Sequence, residues 1–232
     1  MNALSKFFSS CPVWGFALAV SFWSTTIPAL ANRPAEESPQ ITLRVYNYAL
    51  VSSKVLAQAK EEVKTILREA GLSTLWLDCP LSMAEFDKFP ACQEPWGPTD
   101  LRLGIVPRSM AEREPSSDNT LGFALPGPAG TPGRTAYVFY HRVADLARSG
   151  NCFEFQVLGN AIAHEVGHLL LGSVAHSATG IMKAKWNREE LQPASLGFLR
   201  FTPLQASIIR NEVLNRVRRY ESLRVSGLDF SK

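Results

Sequence analysis

The 232-residue sequence predicts an α/β (α+β) protein, a mixed twisted sheet packed on helices. Three observations carry this. ITLRVYNY (41–48) alternates apolar and polar residues, a helix-period stretch follows, and STLWLD (73–78) is again strand-like, so the chain opens strand–helix–strand. Apolar residues make up 46% and charged residues 19%, enough to bury a sizeable core. Two further helical patterns, one from residue 151 onward and one over 202–223, fall in the second half.

Residues 1–31 stand apart from the folded domain. MNALSKFFSS carries Lys6 and no acid, CPVWGFALAVSFW is apolar, and Ala29-Leu30-Ala31 offers small residues for cleavage before Asn32. That order is a secretory signal peptide, with an uncleaved membrane anchor as the alternative. No later stretch is long and apolar enough to span a bilayer, so a secreted or periplasmic product without stable membrane association is expected. Residues 32–40 are polar and proline-bearing and read as a flexible mature N-terminus. A single domain over 41–232 follows.

Within that domain, SSKVLAQAKEEVKTILREAG (52–71) places Val55, Ala59, Val63, Ile66, Leu67 and Ala70 on one face. Ser52 or Ser53 can cap its start and Gly71 ends it. LRLGIVP (101–107) predicts a third strand. Residues 108–134, rich in Pro, Gly and Ser, predict loops around a short strand, TLGFAL (120–125). TAYVFYHRV (135–143) predicts another strand. Asn151 with Glu154 resembles a capping box that opens the next helix. The stretch after residue 180 reads as irregular. TPLQASIIRNEVLNRVRRYESL (202–223) predicts a C-terminal helix with Leu204, Ile208, Val213 and Val217 roughly on one face.

Three cysteines remain after residue 31: Cys79, Cys92 and Cys152. Cys79 and Cys92 are nearest in sequence, and Pro80 and Pro90 mark a loop between them. A disulfide there is expected in an oxidising compartment, leaving Cys152 as a partly buried thiol. No C-x-x-C spacing occurs, which argues against a cysteine-rich metal site. A net charge of +3 without a long basic block gives no footprint for nucleic acid. A monomer is expected.

The chemistry concentrates in HEVGHLLLGSVAH (164–176). Phe155, Leu158, Ile162, Val166 and Leu169 form a core-facing helical stripe. His164 and His168, at i and i+4, project from another face, one above the other. Two imidazoles so related can share one Zn²⁺ at about 2.0–2.1 Å each. Glu165 beside them can take a proton from a water at such a site. The chain has four histidines, His141, His164, His168 and His176, and three lie in this thirteen-residue segment. An unbroken helix would carry His176 about 12 Å beyond His168. Gly172 offers a left-handed exit that can bend the chain back before His176.

The segment resembles the metzincin zinc peptidases, whose pattern is H-E-x-x-H-x-x-G-x-x-H followed by a Met-turn. Here it reads H-E-x-x-H-x-x-x-G-x-x-x-H, one residue longer on each side of the bend, and Gly180-Ile181-Met182 follows. The resemblance covers about residues 151–182. It implies a zincin-like fold with an active-site helix and a small C-terminal helical subdomain. It also implies a catalytic Zn²⁺ held by His164, His168 and His176, Glu165 as general base, Gly172 as the bend and Met182 as the floor of the site. Gluzincins instead take a glutamate from a later helix, which leaves Glu189 or Glu190 as alternative third ligands.

Tyr140 and His141 could border a cleft and contact substrate, and Arg188 could bind a substrate carboxylate. The implied activity is that of an exported zinc endopeptidase acting on peptide or protein substrates, with TLGFAL aligning an extended peptide by strand addition. Two alternatives stand beside it: a non-catalytic exported binding protein that keeps zinc as a structural staple, and a zinc hydrolase of a non-peptide amide.

Overall fold

The computed structural model describes residues 38–111, 120–128, 132–172, 176–186 and 199–226. Strand β1 (Gln40–Asn47) leads into helix α1 (Ser53–Glu69) and strand β2 (Ser73–Asp78). A short 3-10 helix (Met83–Lys88) and α2 (Pro90–Gln93) precede β3 (Asp100–Val106) and α3 (Arg108–Ala111). Then come β4 (Gly122–Leu125), β5 (Thr135–Phe139), α4 (Tyr140–Gly150), α5 (Glu154–Leu171) and α6 (Pro203–Val225).

The five strands form one mixed sheet in the order β2-β1-β3-β5-β4. All neighbours are parallel except β4, which runs antiparallel to β5 along the edge, with Phe123 opposite Tyr137 and Leu125 opposite Thr135. The central strands β1 and β3 send Ile41, Leu43, Val45, Leu101, Leu103 and Ile105 into the core on one face, and their other face carries Arg44, Tyr46 and Arg102. Helices α1 and α5 supply one layer: Leu56, Ala59, Val63, Ile66 and Leu67 meet Leu158, Ile162, Val166 and Leu169 in a continuous core. The C-terminal helix shares that core through Ala206, Ile209 and Val213. Among the described residues no helix is long and apolar enough to cross a membrane.

The 79–92 pairing forms as expected: Cys79 and Cys92 are disulfide-bonded with Cα atoms 5.7 Å apart. This bond fits an oxidising, extracytoplasmic setting. Buried Arg44 completes the clip, donating to Asp100 Oδ2 at 2.8 Å and to the Cys92 carbonyl at 3.0 Å. Cys152 is partly buried outside any disulfide, its thiol 3.3 Å from the Gly150 carbonyl.

Several expectations need correction. The strand over 135–143 ends at Phe139, and α4 takes over from Tyr140. Asn151 does not cap α5; it is the left-handed C-cap of α4 (φ 53°, ψ 43°), and the N-cap of α5 is Phe153, which makes no side-chain capping bond. The capping box occurs on α6 instead, where Gln205 N–H donates to Thr202 Oγ1 and Thr202 N–H to Gln205 Oε1. On α6 the inward face is Ala206, Ile209, Val213 and Arg216, whereas Leu204 and Ile208 are exposed. The tail expected to be flexible is pinned at its end, with Ser73 donating to the carbonyls of Ser38 and Pro39. Residues 1–31, expected as a signal peptide, and residues 32–37 lie outside the described residues.

Candidate metal centre

Helix α5 is buried along most of its length, and this burial aims His164 and His168. Their Nε2 atoms stand 3.0 Å apart. Two nitrogens sharing a tetrahedral Zn²⁺ stand roughly 3.3 Å apart, close to that spacing. His164 Nδ1 lies 2.7 Å from the Ile181 carbonyl. A carbonyl only accepts, so Nδ1 carries the proton and Nε2 presents its lone pair to the shared space. Such a contact fixes the tautomer a metal ligand needs.

His176 completes the cluster from outside the helix. α5 ends at Gly172, whose φ of 95° and ψ of 166° divert the chain, and its N–H closes on the His168 carbonyl at 3.1 Å. A Cβ there would meet open space, so glycine is needed for its backbone angle alone. Exposed His176 then returns to the other two rings, with centroids 5.5 Å from His164 and 4.7 Å from His168. One ligand atom from each histidine lies within 4.8 Å of the others.

A tight turn holds this return in place. Ser177 N–H donates to the Met182 carbonyl at 2.9 Å, and Ile181 N–H to the Arg200 carbonyl at 3.0 Å. Arg200 in turn pairs with Glu62 and Glu69 of α1. Met182 is fully buried, with its sulfur against Gly167, between the two helical histidines.

Burial also sets the electrostatics. Desolvation lowers the pKa of His168 to about 4, with His164 and His176 adding to the effect, and it lowers His164 as well. Both are therefore neutral at pH 7, the ligand form of imidazole. Glu165 is 4% exposed, and desolvation pushes its carboxyl up to about 8. Its Oε2 is buried without a hydrogen-bond partner. Three converging imidazole nitrogens beside an orphaned carboxyl oxygen suit a divalent cation.

A cavity of about 1480 Å³ opens beside the cluster, lined by β4, His164, Glu165, His168, His176 and part of α6. Gly122 of β4 faces Glu165 so closely that a Cβ would lie 2.9 Å from the carboxylate's Oε1.

Tyr140 and His141 do not line this cavity. The Tyr140 hydroxyl is raised to about 12, by burial and then by Glu154, to which it hydrogen-bonds at the start of α5. His141 packs near Phe139. Their neighbour Arg142 does line the cavity and donates to the Thr120 carbonyl at 2.7 Å. Trp186, in edge contact with His164 at 5.8 Å between centroids, is another wall residue that the motif does not announce. Arg188, Glu189 and Glu190 lie outside the described residues.

Fold and site together define a mixed α/β protein with a three-histidine cluster able to hold a metal ion. Among solved structures the chain is similar to the solution structure of TM1509 from Thermotoga maritima. The match has 14% identity over 78% of this chain and 94% of that one, with a TM-score of 0.32, a level that supports no inference about fold or function. No family model and no curated protein matches the sequence.

Proposed function

We propose that this protein is an exported, zinc-dependent peptidase of metzincin-like type. The observation that carries this is the arrangement around one helical turn. His164 and His168 converge with His176 across the Gly172 bend, Glu165 stands beside them, and Met182 lies beneath Gly167. When bound, Zn²⁺ supplies Lewis acidity, polarising a carbonyl and acidifying a water.

The chain's own groups do the rest. The Ile181 carbonyl holds the His164 proton on Nδ1, so Nε2 stays available. Glu165 accepts a proton from the attacking water and returns it to the leaving amine. A cation held by the histidines favours its ionised form, against the burial that otherwise keeps it protonated. Among the described residues β4 is paired on one side only, and an extended peptide can add to its other edge. The cavity beside it is lined by the histidines and also by Ile208 and Asn211 of α6, and its volume of about 1480 Å³ has room for a peptide segment.

The test is metal analysis and peptide-library cleavage by the wild type, Glu165→Gln and His176→Ala. The expected wild type holds about one zinc per chain and cleaves peptides, Glu165→Gln holds zinc without cleaving, and His176→Ala loses both. Full zinc retention in His176→Ala would overturn the ligand set. A zinc-loaded wild type inert towards the whole library would overturn the peptidase assignment.

A further inference from the structure

Arg216 occupies the inward face of α6, one helical turn beyond Val213, where the spacing calls for an apolar side chain. It is only 6% exposed. Its Nε donates to Glu212 Oε1 at 2.8 Å on the same helix. Its Nη2 donates to two backbone carbonyls in different parts of the fold, Leu169 at 2.7 Å and Gly133 at 3.1 Å.

Each acceptor matters. The Leu169 carbonyl lies in the last turn of α5, where intrahelical donors run out. It follows His168 directly and precedes the bend at Gly172. A cation there also complements the negative end of the helix dipole. Gly133 closes the connection from β4 to β5, and it is wedged in place: a Cβ on it would stand 3.0 Å from Leu169 Cδ2 and collide with the Leu125 carbonyl. One guanidinium therefore joins the end of the histidine helix, the return of the strand that touches Glu165, and the C-terminal helix.

We propose that Arg216 is a positioning residue for the three-histidine site. It fixes the last turn of α5, and with it the relation of His168 to the bend that delivers His176, against the β4–β5 edge. Its effect on metal affinity rests on the triad holding a metal; its effect on the helix end does not.

The test compares the wild type with Arg216→Met, Arg216→Lys and Glu212→Gln. Arg44→Met serves as a control that breaks another buried ion pair, on β1, whose partners Asp100, Cys92 and Glu94 include none of the groups that Arg216 bonds. Two quantities are read: Co²⁺ affinity with its visible spectrum, and hydrogen exchange of the Leu170–Gly172 amides in metal-free protein. Groups that orient metal-supporting elements typically change affinity by about 10–100-fold. The expected result is Co²⁺ binding at least about tenfold weaker, with an altered spectrum, in Arg216→Met. Partial recovery is expected in Arg216→Lys and an intermediate loss in Glu212→Gln. Exchange at Leu170–Gly172 should speed up in Arg216→Met and stay at the wild-type rate in Arg44→Met.

Unchanged exchange and affinity in the Arg216 variants, or an equal loss of affinity in Arg44→Met, would overturn the role. If Arg216→Met does not fold, Arg216→Lys and Glu212→Gln decide the matter by the same two readouts. If the wild type binds no Co²⁺, the metal assignment fails, and the exchange data alone judge Arg216.

Discussion

The sulfur of Met182 packs directly against the backbone of Gly167, in the turn that separates His164 from His168. A methyl group on Gly167 would collide with that sulfur and stand 2.9 Å from the Phe201 ring. Glycine at the fourth position of HEVGH is therefore a packing requirement. Gly167→Ala should destabilise the metal-free protein by about 1–3 kcal/mol, the usual effect of overpacking a core. Met182→Leu, which nearly conserves volume, should change stability by less than about 1.5 kcal/mol. Urea denaturation of the two variants checks the ordering.

The buried carboxyl of Glu165 should leave a signature in the pH dependence of stability. Its folded pKa is raised from 4.5 to about 8, so its contribution is fully present below pH 4.5 and is lost as pH rises through 8. His168 acts oppositely below its ordinary value of 6.5: with a folded pKa of about 4, it makes stability fall as the solution is acidified through that window. Between pH 6.5 and 8 Glu165 dominates the pair. Metal-free protein should lose up to about 2 kcal/mol over that interval, and Glu165→Gln should flatten the loss. Denaturant titrations at several pH values measure both.

Metal should stabilise the fold by mass action. Adding Zn²⁺ at about a hundredfold over its Kd should raise stability by about 2.7 kcal/mol. A chelator should reverse the gain, and His168→Ala should abolish it. Thermal melts with and without chelator make the comparison, and a wild type indifferent to Zn²⁺ would count against the site.

The Cys79–Cys92 bridge closes a loop with a sequence separation of 13. Chain entropy for a loop of that size is worth about 3 kcal/mol, so Cys92→Ser should destabilise by roughly that amount. The two cysteines pack with Tyr46 in a cluster separate from the core that holds α5, and zinc affinity should be unchanged. Calorimetry together with metal titration of the variant separates the two effects.

Much of the sheet was legible because its strands obey simple periodicity: 41–48, 73–78 and 101–107 all form strands within a residue or so of their expected bounds. The histidine cluster was legible because i, i+4 spacing and one glycine with a positive φ suffice to bring its members together. The errors have a physical pattern. TAYVFYHRV is aromatic and β-branched throughout, so its local preference is uniform, while the break at Tyr140 depends on packing against α5. Asn151 matched the composition of an N-cap but takes the left-handed conformation that asparagine also tolerates.

Arg216 shows the other kind of limit. Its partners are backbone carbonyls more than forty residues away, which no local pattern encodes. The only hint was Glu212 one helical turn earlier, on the same side as Ile209 and Val213. Gly122 was equally silent, since its value lies in the absence of a side chain against Glu165.

That contact gives the sheet a metric use. Neighbouring strands lie about 4.7–4.9 Å apart. A chain laid along the unpaired side of β4 would be held one such interval from the strand that abuts Glu165. The edge strand then works as a ruler, gauging distance to the carboxylate from main-chain atoms alone and leaving the identity of the side chains to the surrounding walls.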